Sequence, residues 1–274
     1  MSFRFYNFVS IRELSRKQRM KYIPMTKQWI LLLLLPLLLS SCQFKSRQAN
    51  NRGLVYMQES QYEMAVSEFN EAVREEPSYF PAYYNRAVAN ANIGRNKEAL
   101  LDFNYLATIF PDHADTYFNR GVVHENLGNF AQAIQDYSET VKLRPDFIMA
   151  YHYRGIARFR MQDYSGALED YNKALTLGAN TTMDVLTAKE FGLNSSALYY
   201  NRGVVLQKLG DLSHAIQDYS EAIRIDPSSA RAYYNRGVAR IALSQPREAL
   251  ADLEIASRLG HRQADQVIRD YFRN

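Results

Sequence analysis

The sequence predicts an all-α fold, a stack of helical hairpins closed by a final helix, and three observations carry that prediction. Four octapeptides are near copies of one another: YYNRAVAN at Tyr83, YFNRGVVH at Tyr117, YYNRGVVL at Tyr199 and YYNRGVAR at Tyr233, with a looser fifth, YHYRGIAR, at Tyr151. The step between them is 34 residues from Tyr83 to Tyr117 to Tyr151, and 34 again from Tyr199 to Tyr233. A fixed period of this size marks stacked supersecondary units, none of which buries its apolar face alone. Small residues and prolines recur in phase with the copies, as helix crossings and helix stops require.

The chain begins with a different kind of segment. Residues 1–41 hold seven Lys/Arg against the single acid Glu13, leaving 26 bases and 28 acids in the remainder, a net charge of −2. A near-neutral body lacks the clustered basic surface that nucleic-acid binding needs, so no nucleic-acid partner is expected. Ile30–Leu39 reads ILLLLLPLLL, too short to span a bilayer, which takes about 20 apolar residues. It suits the apolar core of a signal peptide over 1–41, with Lys27 before it, small residues after it, and Met20 or Met25 as alternative starts.

Leu39-Ser40-Ser41-Cys42 resembles the lipobox of bacterial lipoproteins. The resemblance implies a diacylglycerol on the Cys42 thiol, cleavage before Cys42, and a third acyl chain on the new amine. Each buried methylene adds about 0.8 kcal/mol of membrane affinity, so three chains anchor firmly. Gln43 after the cysteine, rather than Asp, implies export to the outer membrane where the organism has one. Cys42 is the only cysteine, so the mature chain forms no internal disulfide and no cysteine-ligated zinc site. Residues 42–50 are expected to serve as a lipidated polar tether.

Six units follow, 46–79, 80–113, 114–147, 148–181, 196–229 and 230–263. Position 8 of each is Gly or Ala (Gly53, Ala87, Gly121, Gly155, Gly203, Gly237), and position 20 is Ala (Ala65, Ala99, Ala133, Ala167, Ala215, Ala249). Two antiparallel helices crossing at about 8 Å leave no room there for a branched side chain. Position 24 is aromatic or Leu (Phe69, Phe103, Tyr137, Tyr171, Tyr219, Leu253), and Pro77, Pro111, Pro145 and Pro227 close four units at position 32.

Together these residues resemble the tetratricopeptide repeat (TPR), over 46–263. The resemblance implies a right-handed superhelical solenoid of six hairpins, with units one to four over 46–181 and units five and six over 196–263. The fourth and sixth units lack the closing proline, and the aromatic expected at position 11 gives way to Asn90, His124 and Arg158. Between units four and five lies a 14-residue insertion (182–195), with one short helix expected from Met183 to Phe191. Residues 264–274 read as a capping helix with Ala264, Val267, Ile268, Tyr271 and Phe272 on one face.

All six units carry Arg at position 7 and an acid at position 23: Arg52 and Glu68, Arg86 and Asp102, Arg120 and Asp136, Arg154 and Asp170, Arg202 and Asp218, Arg236 and Asp252. The spacing predicts one structural ion pair per unit, within a hairpin or across to a neighbour, in preference to an anion-binding row of arginines.

By the TPR resemblance, positions 2, 5, 9 and 12 line a concave groove. A partner-binding set of Tyr84, Phe118, His152, Tyr200 and Tyr234 at position 5, with Phe159 at position 12, follows. Val88, Val122, Ile156, Val204 and Val238 hold position 9, either in the groove or packed between helices. The terminal-carboxylate clamp of chaperone-binding members is absent, because it needs Lys at 5 and Asn at 9. Asn85, Asn119, Asn201 and Asn235 at position 6 are expected to be structural.

Five scattered histidines, with no HExxH motif and no glycine-rich phosphate loop, give no footing for catalysis, a metal or a cofactor. The sequence thus points to a lipid-anchored adaptor of the bacterial cell envelope, holding a segment of a partner protein in its groove. A small-ligand receptor for a cell-wall fragment or glycan, built on the same aromatics, is the alternative.

Overall fold

The computed structural model describes residues 29–180 and 195–272, and among them every regular element is an α-helix. In chain order these are α1 (Trp29–Gln58), α2 (Tyr62–Glu75), α3 (Phe80–Asn92), α4 (Asn96–Ile109), α5 (Ala114–Asn126), α6 (Phe130–Leu143) and α7 (Ile148–Arg160). They continue with α8 (Tyr164–Asn180), α9 (Ser195–Lys208), α10 (Leu212–Ile225), α11 (Ala230–Ala242), α12 (Pro246–Arg258) and α13 (Arg262–Phe272). They form six helical hairpins and a C-terminal capping helix, the all-α repeat architecture that the 34-residue period predicts. Two compact bodies divide the chain, 1–128 and 129–274. Most of the leader (1–28) and nearly all of the 182–195 insertion, with its expected helix from Met183 to Phe191, lie outside the described residues.

The turn inside each hairpin is set by one left-handed residue at position 15. Gly94, Gly128 and Gly210 have φ of 79°, 75° and 85°, a region glycine enters freely; Ser60, Gln162 and Ser244 adopt it at 59°, 62° and 57° in the other repeats. The second helices stop before Pro77, Pro111, Pro145 and Pro227. In the fourth repeat, which lacks the proline, α8 runs on to Asn180 and reaches 17 residues, whereas α12 in the sixth, also without it, stops at Arg258 ahead of the left-handed Gly260.

The helix crossings work as the small residues imply. All six position-20 alanines and the side chains at position 24 are buried. The Phe69 ring lies against Gly53, Tyr171 against Gly155 and Tyr219 against Gly203, and Leu253 packs on Gly237 in the same way. A β-carbon built on Gly203 would stand 2.8 Å from the Tyr219 ring and 3.3 Å from the Ala215 carbonyl oxygen. In the second body Leu253, Ala256, Ala264 and Ile268 form one cluster, with Val267 and Phe272 packed against it. Tyr271, expected on that face, is 68% exposed, because α13 seats on α12 through the narrower Ala264–Ile268–Phe272 stripe.

Residues 43–50, expected as a tether, are continuous helix. α1 runs unbroken from Trp29 to Gln58, and Ser46, Ala49 and Asn50 are buried. Ala49 packs with Ala72 and Ala82, and the Ser46 hydroxyl donates to Glu76 at 2.6 Å. Polar composition suggested a solvated linker; a small, polar helix face against a neighbour has the same composition. Among the described residues no helix is long and apolar enough to cross a membrane.

Candidate functional site

The arginines at position 7 lie along the hairpins, half-buried except for the exposed Arg52. Arg86 donates from Nε and Nη2 to the two Asp102 oxygens at 2.8 and 2.7 Å, and Arg202 to those of Asp218 at 2.7 Å each. Arg154 grips Asp170 (3.0 and 2.6 Å) and Arg236 grips Asp252 (2.9 and 2.7 Å) in the same two-point fork. Arg52 reaches Glu68 at 2.9 and 2.6 Å. Hydrogen bonding to these carboxylates holds the guanidiniums of Arg52, Arg86 and Arg202 above their ordinary pKa, against the opposing effect of burial. Arg120 belongs to the first body and Asp136 to the second.

The remaining terminal nitrogen of the fork points backwards. Nη1 donates from Arg86 to Asn70 at 2.9 Å, from Arg120 to Asn104 at 3.1 Å, from Arg154 to Ser138 at 3.1 Å, from Arg202 to Asn172 at 2.8 Å and from Arg236 to Ser220 at 2.9 Å. Each acceptor is position 25 of the preceding repeat. The arginine therefore joins both alternatives left open by the sequence: its carboxylate lies within the hairpin and its third contact in the neighbour. Each of Arg86, Arg120, Arg154, Arg202 and Arg236 also lies over the tyrosine three residues before it, between 5.1 and 5.7 Å from the ring centre.

A second line of bonds runs through positions 5 and 6. Asn119 donates to the Tyr84 hydroxyl at 2.6 Å, Asn235 to the Tyr200 hydroxyl at 3.1 Å, and Asn85 to the Asn50 side-chain oxygen at 2.9 Å. In the fourth repeat His152 takes the tyrosine's place and its Nε2 lies 3.0 Å from the Asn201 amide nitrogen. Burial pushes the His152 pKa down to about 4, so the ring is neutral at pH 7.

Three segments match family models: 50–114 and 114–147 match the tetratricopeptide repeat, and 208–243 matches the TPR repeat. The match over 114–147 coincides with the third hairpin, that over 50–114 runs across the first two, and that over 208–243 takes the second helix of the fifth repeat with the first helix of the sixth. This chain is a tetratricopeptide-repeat protein.

Several solved structures resemble it in fold. The Pseudomonas aeruginosa pilF structure aligns with 84% of this chain and 99% of its own at 18% identity and a TM-score of 0.66. YrrB, described as a TPR protein with an unusual peptide-binding site, aligns over 73% of this chain and 97% of its own at 19% identity and a TM-score of 0.61. MamA does so over 65% and 96%, at 22% identity and 0.56. At these identities the likeness is one of fold. No curated protein matches the chain in sequence.

The TPR positions expected in the groove divide between the bodies. Tyr84 and Phe118, in the first, are 1% and 3% exposed, and the position-9 residues Val88 and Val122 are buried as well. In the second body His152 is buried, but Phe159, Tyr200 and Tyr234 remain half-buried, as do Ile156, Val204 and Val238. Phe159 lies 5.4 Å from Tyr164, and Tyr234 stacks on His261 at 4.1 Å between ring centres. Arg231, exposed at position 2 of the sixth repeat, stands 5.3 Å over the Tyr200 ring and has no carboxylate partner among the described residues. Bonds from Asn201 to His152 and from Asn235 to Tyr200 fix α7, α9 and α11 side by side beneath these rings. Among the described residues no cluster of three or more His, Cys, Asp or Glu is placed to hold a metal.

Three features escaped the sequence reading. Arg158 and Arg240, where an aromatic was expected at position 11, each bring a second guanidinium to the buried acid, at 2.8 Å from Asp170 and 2.6 Å from Asp252. The position-25 acceptors recur at the repeat period and were visible there. Arg231 and His261 carry little periodic signal: position 2 is Arg only in the first and sixth repeats (Arg47 and Arg231), and His261 stands where four other repeats have proline.

Proposed function

We propose that this protein is a membrane-anchored TPR adaptor of the bacterial cell envelope that holds a segment of a partner protein against the first helices of its fourth, fifth and sixth repeats. The reading rests on one observation: Phe159, Tyr200 and Tyr234 stay accessible in the second body, with Arg231, which has no carboxylate partner among the described residues, above Tyr200, while Tyr84 and Phe118, at the repeat position of Tyr200 and Tyr234, are enclosed. Half-exposed aromatics beside one uncompensated cation suit an apolar anchor flanked by an acidic group. The family's frequent use as a protein-binding scaffold supports the same reading, as does a TPR relative of known fold described as having a peptide-binding site. Cys42, in its lipobox-like context, supplies the anchor, with the outer membrane as destination where one exists.

The test is photocrosslinking in living cells with the probe at Phe159 or at Tyr200, and at the outward-facing Leu101 as a reference. One protein captured from both aromatic positions, absent from Leu101 and lost when Arg231→Glu is added, supports the groove. Equal capture from Leu101, or none from either aromatic position, overturns it. Palmitate labelling that disappears in Cys42→Ser checks the anchor separately.

A further inference from the structure

The outer face of α1 is open. Phe44 is 68% exposed and Val55 51% exposed, and with Arg47, Gln48, Asn51 and Arg52 they line one shallow depression along the helix. Residues 44, 48, 51 and 55 fall at i, i+4, i+7 and i+11, a single helical stripe. The opposite stripe, Ser46, Ala49, Asn50, Gly53 and Met57, is buried in the first body. In later repeats the first helix has a preceding hairpin to pack against; among the described residues α1 has none. Arg47 has no carboxylate partner among the described residues, and Lys45 meets Glu75 only at 3.9 Å.

What covers this face is indicated by what precedes it. Cys42, the first residue of the mature chain in the anchored reading, is two residues before Phe44 on the same unbroken helix. At 1.5 Å per residue, Phe44 is about 3 Å along the axis from Cys42 and Val55 about 20 Å. With no flexible tether, an anchor at this point brings the α1 face to the lipid with it.

We propose that the outer face of α1 lies on the phospholipid surface, Phe44 and Val55 entering the interface and Lys45 and Arg47 meeting lipid phosphates. The inference rests on the anchored reading above and adds to it a fixed contact between protein and bilayer. Apolar side chains at the boundary and cations reaching the headgroups are the pattern of interfacial helices.

The only tryptophan, Trp29, precedes Cys42, so the mature chain has none and single-tryptophan variants report one site each. Phe44→Trp, Val55→Trp and, on α4, Leu101→Trp are prepared as the mature lipidated protein in phosphatidylethanolamine–phosphatidylglycerol vesicles with brominated acyl chains. All three sites are exposed, so the fold is not at risk. Several-fold stronger bromolipid quenching at positions 44 and 55 than at 101 is expected. Equal, weak quenching at all three with palmitate present on Cys42 overturns this contact and leaves the anchor standing. Shielding from acrylamide at 44 and 55 without bromolipid quenching also overturns it, in favour of a second protein copy on the face. Absence of palmitate at Cys42 overturns the anchored reading and this inference with it.

Discussion

Arg202 and Asp218 meet through two parallel hydrogen bonds of 2.7 Å, and the same guanidinium reaches Asn172 in the preceding repeat at 2.8 Å. Asp218 is buried, and no second arginine stands on it among the bonds of its repeat, whereas Asp170 holds both Arg154 and Arg158. Arg202→Ala strands that carboxylate and is expected to destabilise by about 2–4 kcal/mol. Arg154→Ala is expected to cost less, since Arg158 stays on Asp170. Denaturant melts of both variants and of the Arg154/Arg158 double variant decide the matter. Equal losses for Arg202→Ala and Arg154→Ala would show that the second guanidinium contributes nothing.

The three non-glycine residues in left-handed turns offer a gain. An L-residue in that conformation costs roughly 1–2 kcal/mol, part of which glycine returns through its greater freedom in the unfolded chain. Ser60→Gly, Gln162→Gly and Ser244→Gly are each expected to stabilise by about 0.5–1 kcal/mol, read as a higher thermal midpoint. Gly210→Ala, at φ 85°, is expected to lower it.

Gly203→Ala tests the helix crossing. Its new methyl meets a buried ring at 2.8 Å and a backbone oxygen at 3.3 Å, so Tyr219 must shift, and overpacking of this kind costs about 1–3 kcal/mol. The paired change Gly203→Ala with Tyr219→Phe is expected to recover less than half, because the contact is with ring carbons rather than the hydroxyl. Chemical denaturation of the single and double variants measures it.

His152 gives the stability an acid-side slope. Its pKa is about 4 in the fold against 6.5 as the ordinary value, so between those limits the unfolded chain binds the extra proton. Stability then rises with pH across pH 4–6.5 and levels off above it, this one group accounting for about 3 kcal/mol at most. Protonation would also set an Nε2–H against the Asn201 amide. His152→Phe, which places the third repeat's Phe118 chemistry here, is expected to flatten that slope in melts taken from pH 4 to 7. An unchanged slope would assign it to the carboxylates instead.

The hairpins and their turns were legible because each constraint repeats at 34 residues: position 8 must be small, position 20 must be Ala, and position 24 fills the gap between them. The partner of Arg86 was legible only by kind. Period and charge named an acid, but Asp102 and Asn70 both lie 16 residues away, one ahead and one behind, and only the fold shows that the fork holds both. The position-5 aromatics misled for a related reason. Tyr84 and Tyr200 are the same residue at the same place, yet one is enclosed and the other half-open, because exposure depends on the particular neighbours each body supplies. Tether and helix were confused over 43–50 because a helix face built of Ser46, Ala49 and Asn50 has no apolar signature.

The backward contacts of the arginines and asparagines give the array a direction. In every pair found, the later repeat donates and the earlier one accepts: Arg86 to Asn70, Asn119 to Tyr84, Arg236 to Ser220, Asn235 to Tyr200. A ribosome releases the accepting side first. Each hairpin thus emerges facing acceptors already made, and offers its own to the repeat that follows.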